Sequence, residues 1–374
     1  MKDVIAENTT LLDWSQVKTI VVKLGTQLLT DKAGKLDPNF MGGIAKQVAL
    51  LREKGIHTTI VSSGAVGAGV AEMGLPRRPT DLARLQAVAA VGQRKLMDAW
   101  ADAFGHLPVA QLLLTREDID DRSRFLNVRN TIHAAQELGA VPIINENDTI
   151  STDELAKITF GDNDYLAAVI ASALRADLLV LLTVVDGLLD DSGKSVRVVQ
   201  SIDQARQLVR TEKSALGKGG MESKLQAAKL VTDSGEAMII ANGRSENVLL
   251  NMVAGEPVGT VFLPSSRRRN SRSRWIGAAR PAGTIVVDSG AVKALVEKNK
   301  SLLPAGIVKI NGTFAKGDVV SIVSADGTEI ARGLSNYISS DVQKICGRKT
   351  AEVRELLGDS AYDEVVHRDN LVIC

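Results

Sequence analysis

Short apolar runs alternate with longer stretches of helical spacing over the first two-thirds of the chain. Thr19–Leu24 (TIVVKL) is short, β-branched and closed by Gly25, which predicts a buried strand. Asp37-Pro38 supplies an N-cap and a first helical residue; Ile44, Val48 and Leu51 then follow at helical spacing until Gly55 ends the helix. A second strand, Thr58–Ser62, runs into Ser63-Gly64, and small residues open a helix through Met73. A long helix is expected from about Asp81 to near Gly105. Strand-like runs recur at Val109–Leu114, Val141–Asn145, Leu178–Thr183 and Ala237–Ile240, each separated by a helical stretch. Alternation of this kind needs crossover connections, so the expected fold up to about residue 263 is α/β, a mostly parallel open sheet sandwiched by helices.

The pattern changes after Pro264. Residues 265 to 280 hold Arg267, Arg268, Arg269, Arg272, Arg274 and Arg280 among serines, which reads as a solvated linker or exposed loop. Beyond it lie short strands with turn signals: Gly317–Val323, then Ala325-Asp326-Gly327, then Thr328–Arg332. Asp-Gly between two alternating runs is a hairpin signal. The expected organisation is an N-terminal extension (1–17), an α/β domain (18–263), a basic linker (264–280) and a small β-rich domain with a C-terminal tail (281–374).

Composition narrows the function classes. A length of 374 residues is too much for one ordinary domain and comfortable for two. Forty-five Lys plus Arg against 44 Asp plus Glu give a net charge of +1, which argues against a globally basic nucleic-acid binder. Aromatics at 3% are too few for a surface that stacks bases on rings. The apolar run Leu178–Val185 is far shorter than the ~20 residues of a membrane span. Lys2, Asp3, Glu7 and Asp13 interrupt any signal-peptide core, so a cytoplasmic chain with no membrane partner is expected. Two cysteines, Cys346 and Cys374, cannot build a disulfide framework or a zinc cage.

Four clusters at predicted strand ends could carry chemistry, because open parallel sheets bind ligands outside the carboxyl ends of their strands. In Lys23-Leu24-Gly25-Thr26 an ammonium stands inside an apolar strand, a costly placement without a partner, and Gly25 would let a phosphate approach the backbone. Ser62-Ser63-Gly64-Ala65 opens a helix whose N–H groups and dipole favour an anion. Asn145-Glu146-Asn147-Asp148 and Phe160-Gly161-Asp162-Asn163-Asp164 are polar and acidic, suited to an ammonium, a Mg²⁺ ion or lysines that need orienting. Gly217-Lys218-Gly219-Gly220-Met221-Glu222-Ser223-Lys224 reads as a glycine-rich loop entering a helix at Leu225, a phosphate cradle without the spacing of a Walker A loop or a dinucleotide fingerprint. The blander readings are a snorkelling edge lysine, serine N-capping, and Asn/Asp turn chemistry. None of the four histidines, His57, His106, His133 and His367, falls in a cluster. A carboxylate substrate needs no imidazole base, being ionised already, and phosphoryl transfer to it needs positioning and charge neutralisation.

Taken in order, Val21 to Thr26, Ser62 to Ala65, Pro142 to Asp148, Gly161 to Asp164 and Gly219 to Leu225 resemble the glutamate 5-kinase family of the amino-acid kinase superfamily. Arg124-Phe125-Leu126-Asn127 fits too, and the downstream module, with Ser301-Leu302-Leu303-Pro304-Ala305-Gly306, is similar to a PUA domain, an RNA-binding fold in other proteins. The resemblance spans roughly residues 18 to 370.

What this resemblance implies is ATP-dependent phosphorylation of the γ-carboxylate of L-glutamate to L-glutamyl 5-phosphate and ADP, with Mg²⁺, as the first step of proline synthesis. Lys23 would touch the transferring phosphoryl group, Lys224 would stabilise the β/γ-phosphates and Asp164 would orient both lysines. Ser63, Gly64, Asn147, Asp148 and Asn163 would hold glutamate, with a hydroxyl and amides for its carboxylate and Asp148 for its ammonium. Gly25, Thr183, Val184, Lys218, Gly219, Gly220, Met221, Glu222 and Ser223 would join the lysines around ATP; no protein metal site is implied. Proline as feedback inhibitor, a homo-oligomer (dimer or tetramer) and a glutamyl-phosphate reductase partner are further implications, and RNA binding by the PUA module is the rival reading from another class. A fused reductase is not expected, since the chain ends at Cys374. Two departures stand out. Where the family has Thr-Asp-x-x-Gly-Leu-Tyr this chain has Thr183-Val184-Val185-Asp186-Gly187-Leu188-Leu189, with Asp186 as the available substitute carboxylate, and Gly-Thr-Gly-Gly-Met becomes Gly217-Lys218-Gly219-Gly220-Met221.

Overall fold

A computed structural model describes residues 12–31, 34–151, 163–190, 193–211, 218–264, 270–358 and 362–374. The chain divides into two compact units, Met1–Arg268 and Arg269–Cys374. The first is built on β1 (Thr19–Leu24), β2 (His57–Ser62), β3 (Val109–Leu114), β4 (Val141–Glu146), β5 (Leu178–Thr183), β6 (Val198–Val199), β7 (Ala237–Asn242) and β8 (Thr260–Phe262). These form one eight-stranded sheet in the order β3-β4-β2-β1-β5-β7-β8-β6. Neighbours are parallel except β7 and β8, which run antiparallel. The α/β expectation therefore holds, with a mixed end to the sheet that the apolar runs did not announce.

Pleating explains the layers. Successive side chains of a strand face opposite sides, so Ile20, Val22 and Leu24 share one face of β1 while Val21 and Lys23 share the other. The first face packs with Met41, Ile44, Val48 and Leu51 of the helix Pro38–Glu53 and with Leu96, Trp100 and Phe104 of the helix Leu82–Phe104. On the second, Val21 packs with Ala167, Ala168, Ile170 and Ala171 of the helix Asp164–Leu174, and with Leu225, Ala228 and Val231 of the helix Lys218–Ser234. Strand parity thus puts Lys23 on the face of β1 that these two helices cover.

Asp37 caps the helix Pro38–Glu53, accepting from the Phe40 amide at 3.0 Å, and pairs with Arg244 at 3.1 Å. The Phe40 amide and the guanidinium outweigh partial desolvation and hold its carboxyl below the ordinary value of 3.8. A lowered folded-state value means that the stabilisation is complete above the unfolded pKa and lost as pH falls through the folded one. Asp37→Ala should therefore cost about 1 kcal/mol at neutral pH. In urea titrations that difference should shrink once the pH falls below about 4.

The second unit holds β9 (Gly283–Val287), β10 (Ile307–Gly312), β11 (Val319–Val323), β12 (Glu329–Leu334) and β13 (Leu371–Ile373), in the order β10-β9-β11-β12-β13. The Asp326-Gly327 turn joins β11 and β12 as an antiparallel hairpin, with Gly327 at φ +87°, where a side chain would be strained. The arginine–serine run is not an exposed linker throughout. Ser271–Ala278 is a helix capped by Asn270, and it buries Arg274, Trp275, Ile276 and Ala278. Arg332 of β12 donates to Gly277 O at 3.0 Å and Ala279 O at 3.1 Å, satisfying carbonyls at the helix end. Charge counting missed this, because the run also carries Trp275 and Ile276, which are buried. Arg267, Arg268 and Arg269 lie outside the described residues. Among the described residues no helix is long and apolar enough to cross a membrane.

Candidate active site

Lys23 belongs to β1, whose register places it between Val61 of β2 and Leu181 of β5, so it sits in the middle of the sheet near its carboxyl edge. Its ammonium is 2.7 Å from Asp164 Oδ1, and Lys224 Nζ is 3.0 Å from Asp164 Oδ2. Asp164 is fully buried, and only 2% of Lys23 and 7% of Lys224 are exposed. One carboxylate thus holds two ammonium groups side by side in a site that water scarcely reaches. Burying charge is costly unless it is paired, and Asp164 supplies that pairing to both lysines.

Local structure places each member. Asp164 is the first residue of the helix Asp164–Leu174, an Ala-rich segment buried on nearly every side, which fixes its carboxylate under β1. A negative side chain also suits a helix N-terminus. Lys224 sits in the second turn of the helix Lys218–Ser234 and donates to Gly220 O at 3.2 Å, while Ser223 Oγ donates to Asp164 Oδ2 at 3.0 Å. The glycine-rich segment differs from expectation here: Lys218, Gly219 and Gly220 form the first turn of the helix instead of a loop before Leu225. Gly217 lies outside the described residues.

A second polar group adjoins this cluster. Asn163 Nδ2 donates to Asn145 Oδ1 at 2.7 Å and to Ser62 O at 3.0 Å, and is 3.2 Å from Ser63 Oγ. The Ser62 carbonyl can only accept, so the side of the amide facing it is the NH₂. Asn163 thus spends its donors on the protein, which differs from the expectation that it donates to a substrate carboxylate. Gly64 adopts φ +104° at the start of the helix Ala65–Glu72, a conformation that suits glycine and lets the chain turn from β2 into the helix. Asn147 and Asp148 follow β4, half-buried, with Asn147 Oδ1 accepting from the Thr149 hydroxyl.

Not every candidate converges on Asp164. Glu222 pairs with Arg206 at 3.4 Å, and Met221 packs against the core on the helix side of the sheet. Thr183 ends β5 and Val184 is 38% exposed beyond it, while Asp186, the candidate substitute carboxylate, accepts from Asn242 Nδ2 at 2.9 Å. Gly25 precedes the helix Thr26–Leu29, and a Cβ there would lie 3.7 Å from Lys23 Nζ. Phe160, Gly161 and Asp162 lie outside the described residues.

Four residues were given no role of their own by sequence reasoning. Asn145 is a buried connector, although its cluster was visible. Gln93 interrupts the apolar stripe Leu85, Val88, Ala89, Leu96, Trp100 of its helix, and that interruption was the available signal. Gly69 and Gly92 let two helices touch: a Cβ on Gly92 would fall 1.8 Å from Ala65 O, and one on Gly69 2.0 Å from Val88 O. No spacing rule marks them, since the contact exists only between helices.

The fold and this site define an amino-acid kinase. Residues 18–242 match the amino acid kinase family and residues 283–357 match the PUA domain, so the chain belongs to the amino acid kinase family and carries a PUA domain. It is an enzyme, a kinase. Its relatives include glutamate 5-kinase of Pseudomonas entomophila, 46% identical over 94% of this chain and 97% of that one. The glutamate 5-kinase of Caldanaerobacter subterraneus subsp. tengcongensis is 46% identical over 95% and 97%, and that of Geobacter sp. strain M21 is 45% identical over 96% and 98%. A solved N-acetylglutamate synthase from Neisseria gonorrhoeae is similar with a TM-score of 0.48 at 16% identity, over 76% of this chain and 68% of that one, a likeness from which nothing about the site follows.

Proposed function

We propose that the protein transfers the γ-phosphoryl group of ATP to the γ-carboxylate of L-glutamate. A carboxylate oxygen forms the new P–O bond, the bond between γ-phosphorus and the β,γ-bridging oxygen breaks, and L-glutamyl 5-phosphate and ADP leave. The observation that carries this reading is the buried cluster in which Asp164 holds the Lys23 and Lys224 ammonium groups side by side. The obstacle to the reaction is repulsion between an incoming carboxylate and a polyphosphate. Two preorganised ammonium groups in a water-poor site offset that repulsion most where the charge is spread in transfer. Asp164 sets the spacing of the lysines before any substrate arrives, so little reorganisation is left for the reaction itself.

Mg²⁺ fits this site as part of the nucleotide substrate. Among the described residues no three Asp, Glu, His or Cys side chains converge as a cage, and Mg²⁺ in kinases takes phosphates and water with one or two carboxylates. Bound to ATP it would neutralise phosphate charge. The lysines, Gly219 and Gly220 would then meet the phosphates, and Ser63, Gly64, Asn147, Asp148 and Asn163 the amino acid. Thr183, Val184 and Lys218 belong to the nucleotide side of the same reading. An acyl phosphate hydrolyses readily, which fits prompt use by a glutamyl-phosphate reductase; restraint of the step by proline and homo-oligomeric assembly are proposed from the family resemblance alone.

The test traps the acyl phosphate. Purified protein, MgATP and hydroxylamine should give hydroxamate and ADP with L-glutamate, and not with L-aspartate, N-acetylglutamate or no substrate. Absence of product with every carboxylate, from folded protein that binds ATP, would overturn the assignment and bring the RNA-binding reading of the PUA domain forward.

A further inference from the structure

Gln93 lies on the core-facing stripe of the helix Leu82–Phe104 and is 8% exposed. A primary amide there is costly unless it is paired. Its Oε1 accepts from Asn145 Nδ2 at 2.8 Å, and Asn145 Oδ1 accepts from Asn163 Nδ2 at 2.7 Å. The order of donors and acceptors is imposed from the far end. Ser62 O, 3.0 Å from Asn163 Nδ2, is a backbone carbonyl, so Asn163 must face it with NH₂. Asn145 must then present its oxygen to Asn163 and its NH₂ to Gln93, and position 93 must offer an acceptor.

At the end of this relay Asn163 Oδ1 is buried and has no hydrogen-bond partner among the described residues. An acceptor left over in a dry site is satisfied by a donor, and an amino-acid substrate carries one, its α-ammonium. We propose that Gln93 is a positioning residue: through Asn145 it holds Asn163 with Oδ1 available to the substrate ammonium, and so favours a free α-amino acid over the same chain without the amino group. This rests on the reading of the site as an amino-acid kinase acting on glutamate.

The distinguishing property is that position 93 needs an acceptor and no more. Gln93→Leu fits the apolar stripe but leaves Asn145 Nδ2 without its partner. It should raise the KM for L-glutamate about tenfold, with the KM for ATP within about twofold and kcat within about threefold. Gln93→Glu keeps an acceptor and should restore the KM for L-glutamate to within about threefold of wild type. Tm shifts on adding L-glutamate or glutarate, which lacks the ammonium, read the same relay without turnover. Wild type should be stabilised more by L-glutamate, and Gln93→Leu should lose that preference.

An unchanged KM for L-glutamate in Gln93→Leu would overturn the proposal. So would an equal defect in Gln93→Glu, or a parallel rise of both KM values with a lowered Tm, which marks a merely structural role. If wild type gives no acyl phosphate, the reaction fails, yet an ammonium-dependent Tm shift lost in Gln93→Leu still supports the relay. No such shift in wild type overturns it.

Discussion

Asp164→Asn is expected to lower kcat by about a hundredfold or more and to destabilise the first unit by about 3–5 kcal/mol. Asp164 is fully buried and pairs with Lys23 at 2.7 Å and Lys224 at 3.0 Å. Asparagine preserves the shape and removes the carboxylate that the two ammonium groups share. They then repel each other in a site that water scarcely reaches, and burying unpaired charge is among the costliest single changes. For a unit of this size the fall in Tm should be on the order of 10 °C. Lys23→Ala separates the two effects. Asp164 keeps Lys224, so the stability loss should be smaller, while kcat should still fall by about a hundredfold or more with a modest change in KM. A Lys23→Ala variant with kcat within a few-fold of wild type would remove that lysine from the chemistry.

Gly92→Ala should destabilise by up to about 3 kcal/mol and raise the KM for the amino-acid substrate about tenfold. The added methyl would fall 1.8 Å from Ala65 O and 2.4 Å from Gly69 N. Both are backbone atoms, so no rotamer change relieves the clash and the two helices must part. Ala65 directly follows Ser63-Gly64, and Asn163 bonds the Ser62 carbonyl at 3.0 Å, so the displacement enters the polar half of the site. Gly43→Ala is the control. It lies within the helix Pro38–Glu53 with nothing inside 4 Å of the new methyl, and should be neutral or stabilising by up to about 1 kcal/mol. Thermal melts and amino-acid titrations of the two variants decide the matter. Equal behaviour would mean that the helix contact does not act on the Ser63-Gly64 turn.

Much of the fold was legible in advance because strand and helix periods are local. Thr19–Leu24, Val109–Leu114 and Leu178–Thr183 appear as strands with the boundaries their apolar runs suggested. Asp37 and Asp81 cap the helices they were expected to open. The arginine run resisted such reading, since its charge pattern is that of solvated chain while Trp275 and Ile276 within it are buried. Glu222 likewise shares a glycine-rich motif with Lys224, yet it turns to Arg206 at 3.4 Å. Neighbours in sequence on a helix face different ways, so a motif names a region before it names a contact.

The sequence by itself determined the alternating elements, the placement of polar clusters at the carboxyl ends of strands, and the parity that puts Lys23 with Val21 on one face of β1. Each follows from residues close together along the chain. Only the tertiary structure decided that Asp164 is shared by Lys23 and Lys224, that Gln93 reaches Asn163 through Asn145, and that Gly92 lies against Ala65. Those contacts join residues far apart along the chain. Periodicity tells which side of an element is buried, and packing alone chooses what it is buried against.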